Sequence, residues 1–358
     1  MIGRSKRILI LIVAAAIPEI ALAAWLALNS APALDWMFRR AAWRELSRPA
    51  AVLAGKDELS ALLCGTGSPL PDKTRGGPCT LVAAGDDYYL VDTGLDAARD
   101  LMLWRIPLEK IKGVFLTHFH SDHIGDLGEV RLQTWVAGRK TPLPVYGPRG
   151  VERVANGFNN AYALDDGYRT EHHGAALLPP QAAALIPHTI QPGLALDHDG
   201  LKVTAFSVEH HPATPAYGYR FDFRGRSIVV SGDTAPTQKL VRAAKGADVL
   251  IHEALNPEMV GVMRDALAAA GKPRQAKIFS DIPGYHTAPV AAARIANAAH
   301  IRLLVFTHII PMLPNRFAEK LFLRGVRDVR PEGVELGHDG LVLKLPGGSD
   351  RIDESELN

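Results

Sequence analysis

Cysteine is almost missing from this chain of 358 residues, which has only Cys64 and Cys79. That scarcity excludes a thiolate zinc ribbon and a disulfide-rich scaffold, both of which need more thiols. One cysteine ends an apolar strand and the other begins the next. If those strands are antiparallel neighbours, a disulfide can form in an oxidising compartment; two buried free thiols are the favoured reading. Charge of one sign is equally scarce. The formal net charge is +2, with both signs interspersed, so the concentrated basic field of a dedicated nucleic-acid surface is not present. No internal repeat of solenoid length occurs. The loop Gly65-Thr66-Gly67-Ser68-Pro69 lacks the Lys-Ser/Thr that a P-loop requires.

Long uninterrupted apolar runs are lacking too. Near the amino terminus, Ile8 to Ile17 is broken by Pro18-Glu19 before Ile20 to Leu28 resumes. With Arg4, Lys6 and Arg7 ahead of it, residues 1–45 read as a signal peptide or membrane anchor plus linker. Ala21-Leu22-Ala23 and Ala31-Pro32-Ala33 are the small-residue cleavage candidates. A glutamate inside a span costs about 2–3 kcal/mol, which favours cleavage over anchoring. The expected location is therefore exported: periplasmic, or anchored to the membrane with the domain outside the cytoplasm. Arg39, Arg40 and Arg44 among Trp36, Phe38 and Trp43 suit either a membrane surface or a solvated linker helix.

Against these absences stands one dense stretch, Thr117-His118-Phe119-His120-Ser121-Asp122-His123. An apolar strand, Gly113 to Leu116, runs into it. A helical stripe, Leu127, Val130, Leu132 and Trp135, follows. The histidines thus lie on a strand-to-helix loop, where a rigid scaffold carries chemistry. In an extended loop His118 and His120 project to one side, while Asp122 and His123 turn with the helix toward a second point. Imidazole and carboxylate without thiolate suit zinc or a similar divalent ion. Later strands end in chemistry as well. Val203 to Val208 runs into His210, which shares a face with Thr204, Phe206 and Val208. Ser227 to Val230 ends at Ser231-Gly232-Asp233-Thr234, Val249 to Ile251 at His252-Glu253, and Leu303 to Phe306 at Thr307-His308.

The pattern His118-x-His120-x-Asp122-His123 resembles the signature of metallo-β-lactamase-fold hydrolases. Gly65-Thr66-Gly67-Ser68-Pro69 and Ser231-Gly232-Asp233-Thr234 are similar to the wording of their ribonuclease Z and arylsulfatase branch. The resemblance spans roughly residues 58 to 345. It implies an α/β fold, the four-layered αββα sandwich, over residues 57–346. Residues 151–200 are expected as an insertion near the site, and 347–358 as a disordered tail. By the resemblance, His118, His120 and His210 hold one Zn2+ (or other divalent metal ion). Asp122, His123 and His308 hold a second, and Asp233 bridges the two. Asp92 supports the metal loop, Asp122 also orients the attacking hydroxide, His286 protonates the leaving oxygen, and Glu253 fixes and tunes His286.

The departures select the substrate. Ribonuclease Z enzymes usually carry a long arm between the Gly-Tyr-Arg strand and the Ser-Gly-Asp loop. Here only Phe221 to Val230 lies between Gly218-Tyr219-Arg220 and Ser231. With the charge balance and the amino terminus, this makes nucleic acid an unlikely partner. The main expectation is an arylsulfatase- or phosphodiesterase-like hydrolase of a small-molecule ester, with a membrane contact through residues 1–45 and a homodimer left open. The alternatives are a ribonuclease Z-type endoribonuclease acting on tRNA, and a non-catalytic metal-binding module.

Overall fold

The computed structural model describes residues 17–19, 21–25 and 27–357. The chain divides into two units, Met1–Ala50 and Ala51–Asn358. In the first, a helix runs Ala31–Leu46 with Pro32 in its first turn, where a missing N–H costs nothing. Its Trp36, Phe38 and Trp43 are exposed. Residues 1–16, the positive segment and most of the first apolar run of the expected signal or anchor, lie outside the described residues. Among the described residues, no helix is long and apolar enough to cross a membrane.

The second unit is built from strands, the central ones buried along their whole length. Its first half supplies β1 (Glu58–Gly65), β2 (Cys79–Ala84), β3 (Asp87–Val91), β4 (Ile111–Phe115), β5 (Leu143–Gly147) and β6 (Leu185–Thr189). Its second half supplies β7 (Gly193–His198), β8 (Leu201–Ser207), β9 (Tyr217–Phe223), β10 (Arg226–Val230), β11 (Val249–Leu255) and β12 (Leu303–Ile310). Three short ones close the fold: β13 (Val334–Leu336), β14 (Leu341–Pro346) and β15 (Asp353–Glu356). They form two sheets, ordered β15-β14-β1-β2-β3-β4-β5-β6 and β13-β12-β11-β10-β9-β8-β7.

Strand periodicity sorts the side chains into layers. Along β1, Leu59, Ala61 and Leu63 pack between the sheets with Phe115, Phe221, Ile251 and Val305. Leu62 and Cys64 face outward, under Leu101, Leu127 and Val130 from the covering helices. On the other sheet Val229, Leu250 and Leu304 face Leu240, Ala292, Ala296 and Phe322. Helices therefore cover both outer faces, which is the expected αββα sandwich.

Strand direction decides where the chemistry gathers. β3, β4, β5 and β6 are parallel, as are β10, β11, β12 and β13. Two antiparallel steps, β8 to β9 to β10, bring the end of β8 to the same edge as that of β10. Two more, β1 to β2 to β3, do so for β1. All the ligand-bearing loops leave carboxyl ends of strands, the edge where open α/β sheets bind ligands.

Three expectations need correction here. Residues 353–356 are not a disordered tail but an edge strand on β14, because Leu341 to Leu345 offers a free ladder beside them. Residues 151–200 are not an overhang of the site. They form a helix, Val151–His173, and then β6 and β7, one for each sheet. Cys64 and Cys79 are bonded rather than free, their Cα atoms 4.9 Å apart. The pairing follows from the antiparallel register of β1 and β2 and an irregularity between Leu63 and Gly65.

Candidate metal centre

The loop after β4 is held from below. Asp92, at the end of β3, accepts hydrogen bonds from the Thr117 amide and hydroxyl, both at 2.8 Å. The same carboxylate lies 2.8 Å from His123 Nδ1. That contact places the ring proton on Nδ1 and leaves Nε2 as the ligating atom. Asp92 adopts φ +60°, a left-handed conformation that aspartate tolerates better than most residues.

Four groups converge first. His118 Nε2 lies 2.9 Å from His120 Nδ1, and His210 Nε2 lies 3.3 Å from the same atom. Asp233 Oδ2 lies 3.9 Å from His118 Nε2 and 3.8 Å from His210 Nε2. The His210 ring is oriented by its Nδ1, which donates to the Tyr285 carbonyl at 3.1 Å. A second set lies on the far side of the same aspartate oxygen. His123 Nε2 and His308 Nε2 are each 3.3 Å from Asp233 Oδ2. Asp122 Oδ2 completes this set at 3.5 Å from His123 and 3.3 Å from His308. Tetrahedral ligands about 2.1 Å from a zinc ion stand roughly 3.4 Å apart, which is the scale of these separations.

His308 reaches the site through an irregular backbone. β11 and β12 pair regularly up to Glu253 and Thr307, then slip so that Ala254 faces Ile309. His308 is the extra residue, with φ +45°, and the bulge turns its ring toward the aspartates.

Electrostatics agree with this division. Burial pulls the His118 and His210 imidazoles below their usual range, against the opposing carboxylate of Asp233. Burial likewise lowers His120. A lowered proton affinity suits rings that must bind metal in their neutral form. Burial works to protonate Asp233, but His308 and His123 outweigh it and hold the carboxylate well below its ordinary range. Burial lowers His123, but Asp233 and Asp92 outweigh it and raise it well above its usual range, so positive charge is favoured there and a bound cation would supply it in the proton's place. A cation is wanted at that point. Asp233 Oδ1 and His123 Nε2 are both buried with no hydrogen-bond partner. Unpaired buried polar atoms are costly, and a divalent ion held at His123 Nε2 would satisfy that nitrogen. The donor set therefore fits the metal.

Beside the metal sets sits a second machine. His286 Nδ1 lies 3.2 Å from Glu253 Oε1, a skewed electrostatic pairing rather than a well-formed hydrogen bond. Glu253 is 1% exposed, and its Oε1 accepts the amides of Thr234 and Thr287 at 3.1 and 2.9 Å. Burial lowers the His286 proton affinity, and Glu253 more than restores it, for a net rise. With Nδ1 turned to Glu253, Nε2 is the atom left for the cleft.

That cleft, about 280 Å³, has His120, Asp122, Asp233, His286 and His308 as its floor. Ser68, Pro69, Leu70, Ile278, Phe279 and Ile282 also line it. No residue of 151–200 lines it. Sequence reasoning missed Tyr285 and the isoleucine wall. The available signal was apolar spacing at 278 and 282, which reads as ordinary core packing.

The chain matches the Metallo-beta-lactamase superfamily model over residues 72–280. It belongs to that superfamily. Its members bind divalent metal, and the chain is a metal-dependent hydrolase. Ribonuclease Z of Mycobacterium bovis is 37% identical over 258 residues, 71% of this chain and 87% of the relative. Ribonuclease Z of Mycobacterium avium is 36% identical, covering 78% of this chain and 96% of the relative. In fold, the chain is similar to a metallo-beta-lactamase fold protein of Bacillus subtilis (TM-score 0.58, 20% identity, 81% and 100% of the chains). It is also similar to the short form of human tRNase Z (TM-score 0.56, 21% identity, 79% and 98%).

These relatives overturn three expectations. The arylsulfatase- or phosphodiesterase-like reading falls, because the likeness to enzymes named Ribonuclease Z extends over most of both chains. The short hairpin between Tyr219 and Ser231 is a local departure and does not outweigh it. The exclusion of nucleic acid as a partner falls with it, since formal net charge averages over a surface and says little of one cleft. The exported or membrane-anchored placement, read from Arg4, Lys6 and Arg7 and the apolar run after them, is withdrawn on the same comparison.

Proposed function

We propose that this chain is a ribonuclease Z-type endoribonuclease that hydrolyses a phosphodiester bond of tRNA precursors, using two divalent ions, zinc by donor chemistry. The observation that carries the reading is the 37% identity to a Ribonuclease Z across 87% of that relative's length. The seven donors and the His286–Glu253 pair support it from the geometry. His118, His120 and His210 would hold one ion and Asp122, His123 and His308 the other, with Asp233 Oδ2 facing both sets. Bound there, the ions supply positive charge against the developing phosphoryl charge and lower the pKa of the attacking water. Asp122 orients that water and takes up its proton. His286 gives the proton at Nε2 to the leaving oxygen, and Glu253 keeps the imidazole facing it with a raised proton affinity. Asp92 and the Tyr285 carbonyl fix which nitrogen of His123 and His210 faces the metals.

The test is cleavage of a tRNA precursor with a 3′ extension by the purified, zinc-loaded chain, with chelation and reloading as controls. A discrete cut near the 3′ end that vanishes on chelation and returns with metal is expected. An intact precursor beside brisk hydrolysis of nitrophenyl sulfate would refute the reading.

A further inference from the structure

The helix Pro273–Asp281 and the turn Ile282–Gly284 lead straight into Tyr285-His286. Along this segment two kinds of apolar side chain occur. Phe279 is 8% exposed and packs with Leu255, Val260 and Ile310, so it fastens the helix to the ends of β11 and β12. Ile278 is 57% exposed although it lines the cleft. Ile282, at the start of the turn, is partly buried against that cluster and lines the cleft too. Folding does not require Ile278 there, since its surface remains in water. An exposed apolar surface inside a metal-binding cleft is where a ligand's apolar part is received.

The position of the wall says which part. It precedes the proton-donating His286 in the chain, and Tyr285, its ring tilted at 47° to that of His286 with centroids 4.9 Å apart, joins the two. The wall therefore flanks the leaving oxygen rather than the side from which water attacks. A cleft of about 280 Å³ is at the small end of ligand sites and admits one flat ring system beside the phosphate. We propose that Ile278 and Ile282, with Tyr285, seat the base of the nucleotide whose oxygen leaves, and so set the enzyme's preference at that position. This rests on the ribonuclease reading above. Bases present faces that pack on side chains without regard to sequence, and an aliphatic wall favours shape over hydrogen-bond pattern.

The experiment uses three precursor RNAs: intact, abasic at the nucleotide bearing the leaving oxygen, and abasic on the opposite side of the cut. Each is assayed with the zinc-loaded wild type, Ile278→Ala and Ile278→Leu, whose metal content and melting temperature are checked first. Ile278→Ala should lose roughly tenfold in kcat/KM on intact RNA, the scale of lost apolar contact in a pocket. It should lose nothing further on the leaving-side abasic RNA. The wild type should drop by a similar factor on that RNA only, and Ile278→Leu should behave as wild type. Equal rates for wild type and Ile278→Ala on intact RNA would overturn the seat while leaving the ribonuclease reading intact. So would the same loss on all three RNAs. A wild type that cuts none of them overturns both.

Discussion

The floor and the wall of the cleft are made by different physics. The floor is a set of imidazoles and carboxylates at the ends of central strands, nearly all buried: His118, His123, His210, Asp233 and His308 are each 3% exposed or less. The histidines among them are fixed by a hydrogen bond or a backbone device beneath them, such as Asp92 under His123 or the bulge at His308. The wall is a helical hairpin, Pro257–Ala269 and Pro273–Asp281, fastened by a cluster of four buried side chains: Leu255, Val260, Phe279 and Ile310. The contrast teaches that the reaction type resides where displacement is prevented, and substrate choice where the scaffold is lightly held.

The largest effect should come from the centre of the floor. Asp233→Ala removes the oxygen that both ligand sets face and leaves buried histidines without their counter-charge. Activity should fall by more than about 10⁴-fold, beyond the loss of a single proton-transfer group, and bound metal should drop below two ions per chain. Full activity with unchanged metal content would show that Asp233 is not the shared element, and the floor would lose its unity.

Next comes the boundary between floor and wall. His286→Ala should slow cleavage of RNA, whose leaving oxygen is a poor one, by roughly 10²–10⁴-fold. A diester of nitrophenol leaves without a proton and should suffer much less, with metal content unchanged. Glu253→Gln should show the same pattern more weakly. If both leaving groups slow equally, His286 is not the proton donor. If zinc is lost, it belongs to the floor as a ligand.

Beneath the floor the effect should be smaller again. Asp92→Asn keeps the shape but weakens the hold on His123 Nδ1 and Thr117. Metal affinity should fall by about 10–100-fold, as for other carboxylates behind a metal-binding histidine, and activity should return at high zinc. Failure of added zinc to restore it would mean that Asp92 does more than orient.

The floor was legible in the sequence for the reason that it is rigid. Metal ligation demands a few residue types at strand ends, so His118, His120, Asp122, His123, His210, Asp233 and His308 stand out against apolar runs. The alternation of strands and helices announced a layered α/β fold, and the family resemblance made it the two-sheet sandwich. The wall was not legible, because Ile278 and Phe279 are adjacent apolar residues in one helix with opposite duties, and only packing tells them apart. The edge strand at residues 353–356 was missed for a related reason. Its side chains are polar and exposed, and what orders them is the free ladder of β14, which no local pattern records. The substrate class went astray because a missing arm and a near-zero net charge are averages or absences, whereas homology integrates the whole chain.

The smallest expected effect tests the fastening of the wall. Val260 is fully buried on the helix Pro257–Ala269 and belongs to the cluster that pins the hairpin. Val260→Ala deletes two methyl groups from that cluster, about 2 kcal/mol at roughly 0.8 per buried carbon plus the space left behind. If the hairpin opens on its own, that loss appears as faster amide hydrogen exchange across residues 257–284. Exchange in the strand β4 and the histidine loop beyond it should be unchanged, because none of their hydrogen bonds depends on the hairpin. Metal content should be that of the wild type, and cleavage of RNA should fall only a few-fold, less than for His286→Ala. Exchange that quickens equally in β4, β11 and the hairpin would mean that wall and floor melt together, and the division drawn between them would not describe how this molecule is held.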